Sequence, residues 1–298
     1  MHSSIYHFFG AILDRRGYFP QFQNLEQFDF PDSFFAARST GTGTFPDLVL
    51  RYDPFADLPG GEFIELKTAG AMTVSSFNST IPMARKPMGI LSKKVQDQLR
   101  EAGESFDESE QRDVYYLVVG RKRQKPSPKT KVCLVNGAFF ETISTKDLLI
   151  RAASQIFHNR DSTNLIELET YFEDMSADEI QSRFAATRKV DGASTKIRFR
   201  VMSECLPSSN IMNGSKFPEL GDDTISMLVP IDNTERLRRI GLGKWADADD
   251  QIRSTVPYMN LSAALDDVSP ALKSILSIGT LKHPNDGIYL IAQARIHA

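Results

Sequence analysis

Two neighbouring segments are the most informative part of this chain: Phe45-Pro46-Asp47-Leu48-Val49-Leu50 and Glu62-Phe63-Ile64-Glu65-Leu66-Lys67-Thr68. Both are rich in Val, Leu, Ile and Phe and are bounded by Gly and Pro, which predicts two short strands joined by a turn-rich interval. Side chains alternate between the two faces of a strand. We therefore expect Glu65 and Lys67 to project from one face, with Ile64 and Leu66 packed on the other.

Two carboxylates and one ammonium group fall on these predicted strands. Asp47 opens the first strand, and Glu65 and Lys67 lie within the second. If the strands pair, the three groups meet at the same edge of a sheet. A hard cation such as Mg²⁺ takes oxygen ligands, and one or two protein carboxylates plus substrate phosphate are sufficient to bind it. The pattern therefore favours a magnesium-dependent phosphodiester nuclease.

Each residue of this group has a predicted role. Asp47 and Glu65 would be the metal ligands, helped by the backbone carbonyl of Leu66, and Lys67 would position or deprotonate the attacking water. Burying charged side chains in a strand costs free energy unless they form ion pairs or bind a metal. The two charged residues in this buried segment therefore favour a metal site. One alternative stays open: the carboxylates merely form ion pairs with Lys67 or Arg38 in a protein without catalysis.

The motif resembles the signature of a known group of enzymes. Pro46-Asp47 followed by Glu65-Leu66-Lys67 is similar to the PD-(D/E)XK nuclease superfamily signature. The lead-in over 40–44 and the continuation over 76–82 are similar to segments of type II restriction endonucleases. The resemblance covers residues from about 35 to 120. It implies that Asp47 and Glu65 bind the metal and that Lys67 is the catalytic lysine.

The resemblance also implies a substrate and an assembly. A type II restriction endonuclease would act as a homodimer on a short palindrome of double-stranded DNA, because two-fold protein symmetry matches that of the site. Cleavage would leave 5′-phosphate ends, and the enzyme would work in the cytoplasm of a prokaryote. A nicking or repair nuclease of the same superfamily and a non-catalytic DNA-binding protein are the alternatives.

Composition excludes several other classes of protein. No apolar run approaches the length of a membrane span, and the first residues lack a secretory signal. Cys133 and Cys205 lack metal-binding spacing and are expected to be reduced thiols. The formal net charge is -3 at pH 7, so DNA binding would depend on locally basic surface.

Candidate DNA contacts come from both halves of the chain. Polar and basic residues follow the motif, and arginines that suit guanine and phosphate recognition lie in the second half. The candidates are Asn78, Ser79, Thr80, Lys93, Lys94, Arg198, Arg200, Arg238 and Arg239. The alternatives are an ordinary turn for the first three and solvated basic surface for the others.

The predicted fold class is α/β, with a restriction-endonuclease-like mixed sheet flanked by helices. Helices are predicted over 5–16, 90–102 and 146–157, strands over 113–119 and 131–135, and a hairpin over 136–143. A boundary near residue 158 is predicted to separate a catalytic core, 1–158, from a DNA-recognition and dimerisation region, 159–298. The alternative is that the two form one integrated domain. The latter region is predicted to be α+β, with helices over 177–186 and 261–275 and strands over 195–202, 225–230 and 287–292.

Overall fold

The computed structural model describes residues 4–20, 32–39, 44–51, 61–70, 72–74, 76–77, 81–122, 128–141, 143–157, 170–189, 191–192, 194–198, 202–231, 260–284 and 287–297. The elements of the first half are α1 (Ser4–Asp14), β1 (Phe35–Arg38), β2 (Leu48–Leu50), β3 (Phe63–Gly70), β4 (Ser76–Phe77), β5 (Arg85–Pro87), α2 (Lys93–Glu101), β6 (Gln111–Lys122), β7 (Lys129–Asn136) and α3 (Thr145–Phe157). Those of the second half are α4 (Ala177–Ala185), β8 (Thr187–Lys189), β9 (Lys196–Arg198), β10 (Ser203–Glu204), β11 (Thr224–Pro230), α5 (260–268), α6 (Pro270–Lys273), β12 (Ser277–Lys282) and β13 (Ile288–Arg295).

Within the described ranges, nine strands form one mixed sheet. Eight of them follow the order β1-β2-β3-β6-β7-β11-β13-β12, and the ninth, β5, pairs with β6 outside this order. Strands β1, β2 and β3 form an antiparallel meander, whereas β6 runs parallel to β3. Parallel neighbours need a crossover connection, and α2 lies in the connection between β3 and β6. The chain is thus α/β, with a large mixed sheet flanked by helices, as the sequence predicted at that level.

The sheet buries apolar side chains on both faces. On the face we call the α1 face, Phe8 and Ile12 of α1 pack with Ile64 and Leu117. On the opposite face, the α2 face, Val95 and Leu99 of α2 pack with Phe63 and Val118. Because neighbouring residues of β3 belong to opposite clusters, the predicted alternation along this strand is confirmed.

Most of the predicted helices and strands are present within a few residues of their expected bounds. These are α1, α2, β6, β7, α3, α4, β11 and β13. The sequence patterns did not indicate β1, β5 or β12, which are short or strongly exposed. No helix among the described residues is long and apolar enough to cross a membrane.

The hairpin predicted after β7 is wrong. Residues Gly137–Phe139 form one turn of 3-10 helix, and the Asn136 side chain accepts a hydrogen bond from Ala138 N at 3.0 Å. A Cβ atom on Gly137 would lie 1.9 Å from the Met83 carbonyl oxygen. The glycine therefore permits a close approach of two backbone segments rather than a hairpin turn.

The helix predicted over 261–275 is wrong in its second part. Helix α5 ends at residue 268, and Ser269 adopts an extended conformation with φ -165° and ψ 111° before α6 begins at Pro270. A residue that precedes proline is disfavoured in the helical region, which explains the interruption.

The sheet continues across the boundary predicted near residue 158. Strand β11 of the second half runs parallel to β7 of the first, from Thr224 opposite Lys131 to Leu228 opposite Val135. The two-stranded β4–β10 ladder links the halves a second time.

Candidate functional site

Asp47 and Glu65 lie together because of the register between β2 and β3. Leu48 is opposite Ile64 and Val49 is opposite Phe63, so continuing this register by one residue places Asp47 opposite Glu65. Directly opposed residues of antiparallel strands have Cβ atoms about 4.5–5.5 Å apart. The sequence-predicted carboxylates therefore share one position on the α2 face of the sheet.

The Asp47 side chain is held by the backbone of β3. Its Oδ2 atom accepts a hydrogen bond from Leu66 N at 2.7 Å, beyond the last paired residue of β2. A carboxylate that accepts a backbone N–H bond forms a charge-assisted hydrogen bond, which is short and strong. Asp47 is partly exposed, so this residue lies at the edge of the core.

Glu65 and Lys67 form an ion pair on the same face of β3. Lys67 Nζ donates to Glu65 Oε1 at 2.8 Å. The Glu65 side chain is 5% exposed and the Lys67 side chain is 17% exposed, so Glu65 is buried while Lys67 lies at the edge of the core. Arg38, the other cation considered for these carboxylates, forms an ion pair with Asp32 at 3.2 Å.

Two aromatic rings form one wall of the site. Tyr116 of β6 is directly opposite Glu65 in the parallel ladder. Burial, followed by the negative charges of Glu65 and Glu141, raises the pKa of Tyr116 well above its ordinary value, so its phenol stays neutral. The Phe77 ring lies 5.3 Å from that of Tyr116, and Lys67 Nζ is 5.9 Å from the centroid of Phe77. The sequence indicated neither residue, because Tyr116 lies in an apolar strand and Phe77 in a two-residue strand, and neither strand carries a chemical signature.

The donor set fits a hard divalent cation. The carboxylates of Asp47 and Glu65 are oxygen ligands of the kind that Mg²⁺ prefers. Leu66 N points toward the Asp47 side of β3, and the N–H and C=O of one strand residue point to the same side, so the Leu66 carbonyl also faces Asp47. The described ranges contain no cluster of three or more His, Cys, Asp or Glu side chains that could hold a metal ion. The site thus offers two carboxylates and one carbonyl.

Few of the predicted DNA contacts lie in the described part of the chain. Lys93 and Lys94 are exposed at the start of α2. Arg198 is the last residue of β9, where the structure describes the backbone. Outside the described residues are Asn78, Ser79, Thr80, Arg200, Arg238 and Arg239.

Two lysines in strands of the sheet are buried, although lysine side chains are usually exposed. Lys86 and Lys131 are each 0% exposed. Lys86 Nζ lies 5.6 Å from the centroid of the Phe45 ring, and Lys131 Nζ donates to the Met212 carbonyl at 3.5 Å. Neither ammonium group contributes to a surface that DNA could contact.

Comparisons of the chain with protein-family models, with curated proteins and with solved structures found no match.

Proposed function

We propose that this chain is a Mg²⁺-dependent, site-specific endonuclease of double-stranded DNA, a type II restriction enzyme with a PD-(D/E)XK core. The observation that carries the proposal is the Asp47 carboxylate, which is bonded to the backbone beside Glu65 and Lys67. Two neighbouring segments thereby bring acid, acid and amine together on one face of a sheet, with Glu65 buried and with Asp47 and Lys67 partly exposed.

The order of elements supports the same proposal. Helix α1 precedes the β1–β3 meander, and α2 leads from β3 to the parallel strand β6. A mixed sheet flanked by helices is what the sequence resemblance implies, and this order of elements supports it.

The residues of the site divide the chemistry between them. Asp47 and Glu65 would hold Mg²⁺, which when bound activates water and stabilises negative charge on phosphate. The Leu66 N–H fixes the Asp47 carboxylate, and Lys67 fixes one oxygen of Glu65. The Lys67 ammonium would also offset charge that develops on the phosphate and orient the attacking water.

The proposed enzyme would work as a dimer on duplex DNA. A homodimer would cut both strands of a palindrome, since each copy supplies one site. The second half of the chain would supply base recognition, because base-reading side chains must come from outside the catalytic strands. The enzyme would act in the cytoplasm of a prokaryote.

Digestion of unmethylated supercoiled plasmids of several sequences tests the proposal. With purified protein and Mg²⁺, we expect discrete linear fragments whose sequenced ends share a short motif and carry 5′-phosphates. EDTA should abolish cleavage. Nicked circles alone would instead indicate a nicking nuclease. Intact plasmid with a mobility shift would show a protein that binds DNA without cutting it, and would refute the proposed activity.

A further inference from the structure

A pocket of about 400 Å³ lies beside the candidate site. Phe77 belongs to both, because its ring lines the pocket and its centroid is 5.9 Å from Lys67 Nζ. Phe140 also lines the pocket, and its ring centroid is 4.9 Å from that of Phe77. The volume is in the range of roughly 300–1,000 Å³ that is usual for small-molecule pockets.

Two hydroxyl groups in the pocket wall have no hydrogen-bond partner among the residues that the structure describes. Thr145 is 3% exposed. Its Oγ1 atom and the Oγ atom of Ser203 are both buried, and neither atom has a hydrogen-bond partner in the described part of the chain. Both residues line the pocket, whose other lining side chains are mostly apolar. A buried hydroxyl without a partner is unfavourable. A ligand with polar atoms at its edge would supply the missing hydrogen bonds.

Two carboxylates restrict what this ligand can be. Glu141 and Glu204 both line the pocket. Glu141 Oε2 accepts a hydrogen bond from Ala84 N at 2.8 Å, which fixes the side chain in place. A carboxylate in the pocket wall repels phosphate groups. Its oxygens accept hydrogen bonds from amino groups, as acidic residues do with the amino group of cytosine.

We propose that the pocket receives one unstacked nucleobase from the DNA strand held at the candidate site, an inference that rests on the proposed function. A base has planar faces that suit Phe77 and Phe140, and a polar edge that suits Thr145, Ser203 and Glu141. It is also attached to the phosphate backbone, which the neighbouring Lys67 would contact. A purely apolar ligand would leave the two hydroxyls without hydrogen bonds.

Replacing Ala152 by Trp fills the pocket without altering the candidate site. Ala152 lies on α3, is exposed and lines the pocket. The matched control is Ala271→Trp, which places the same side chain at an exposed position of α6. The DNA probe is a set of short duplexes that contain the motif mapped by plasmid digestion, each with 2-aminopurine at one position.

We expect 2-aminopurine fluorescence to rise several-fold at one position when the wild-type protein binds the duplex in EDTA, because the base leaves the stack. The rise should persist with Ala271→Trp and disappear with Ala152→Trp. Loss of stacking on an aromatic side chain should weaken binding of the duplex about tenfold for Ala152→Trp, and cleavage with Mg²⁺ should slow with it.

Three results separate this inference from the proposed function. Motif-specific cleavage without a fluorescence rise at any position would overturn the pocket assignment and leave the nuclease standing. Equal behaviour of Ala152→Trp and wild type in both measurements would overturn it as well. If the wild-type protein neither binds nor cuts the duplexes, the proposed function fails and this inference fails with it.

Discussion

At the scale of single residues, Asp47 combines a structural and a chemical role. Its carboxylate accepts a hydrogen bond from the Leu66 N–H just beyond the last backbone pair of β2 and β3. This side-chain bond continues the contact between the two strands. The same group supplies the negative charge that the proposed chemistry needs. An amide in this position can accept the hydrogen bond without carrying the charge, so the two roles can be separated.

We predict that Asp47→Asn reduces the cleavage rate at least about a hundredfold, because removing even a supporting group of a metal site typically costs 10–100-fold. The melting temperature should change little, since the amide oxygen still accepts from Leu66 N. The control is Asp266→Asn, which alters an exposed carboxylate paired with Lys273. An Asp47→Asn variant as active as the control would contradict the assigned role.

Lys67 is predicted to act in cleavage rather than in DNA binding. Lys67→Ala should abolish cleavage in the plasmid assay and leave the mobility shift intact, whereas the exposed control Lys273→Ala should cut normally. The change leaves the buried Glu65 carboxylate without the bond it accepts from Lys67 Nζ. We therefore expect a loss of unfolding free energy of about 1–3 kcal/mol in denaturant titrations.

Adding Glu65→Gln to Lys67→Ala should recover part of that stability, because a neutral amide is less costly to bury than a carboxylate. If the double variant is no more stable than Lys67→Ala, the ion pair does not stabilise the buried carboxylate. Cleavage should remain absent in both variants.

Cys133 gives the chain a pH-dependent stability at alkaline pH. Burial raises the pKa of the Cys133 thiol from 9.0 to about 12, slightly offset by the charge of Lys131. Above pH 9 the unfolded thiol loses its proton while the folded one keeps it. The unfolding free energy should therefore fall between pH 9 and 12, by at most about 1.4 kcal/mol per pH unit from this group.

The Cys133→Ala variant isolates this contribution in denaturant titrations. Its unfolding free energy should decline less steeply above pH 9 than that of the wild type, although its value at pH 7 is lower. Parallel declines would show that the thiol ionises equally in the folded and unfolded states.

At the scale of elements, the end of β7 is fixed by a contact that no local pattern reveals. Asn136-Gly137 has the composition of a hairpin turn, yet Asn136 caps a 3-10 turn and Gly137 lies against the Met83 backbone. Strand β7 consequently finds its next neighbour in β11, far along the chain. The contact with Met83 also fixes the segment that leads into β5.

We predict that Gly137→Ala lowers the unfolding free energy by about 1–3 kcal/mol or more, since the added Cβ would meet backbone atoms that cannot move aside as a side chain could. The distance to the Met83 oxygen would be 1.9 Å. Gly214→Ala is the matched control, because a Cβ there meets nothing within 4 Å. Equal stabilities of the two variants in urea titrations would contradict this account.

At the scale of the whole molecule, one sheet joins the halves of the chain. Strands β11, β13 and β12 extend the sheet beyond β7, and their side chains contribute to both faces of the core. Met227 and Ala292 pack on the α1 face, while Leu228 and Ile291 pack on the α2 face. Removing the second half would expose this apolar surface and leave β7 as an open edge.

A fragment ending at residue 158 should therefore not form a stable monomer. We expect a broad thermal transition by circular dichroism and aggregation in gel filtration, in contrast to cooperative unfolding of the full chain. A monomeric fragment with a sharp transition would instead support an independent catalytic core over 1–158.

The sequence alone determined the alternation along β3, the main helices and the two short apolar segments that carry Asp47, Glu65 and Lys67. These features depend on local composition and period, which neighbouring residues are sufficient to specify. The other features form only when folding brings distant residues together. They are the register that sets Asp47 beside Glu65, the aromatic wall formed by Tyr116 and Phe77, and the pairing of β7 with β11. Contacts between segments far apart in the chain depend on how the core packs, and no local pattern encodes them.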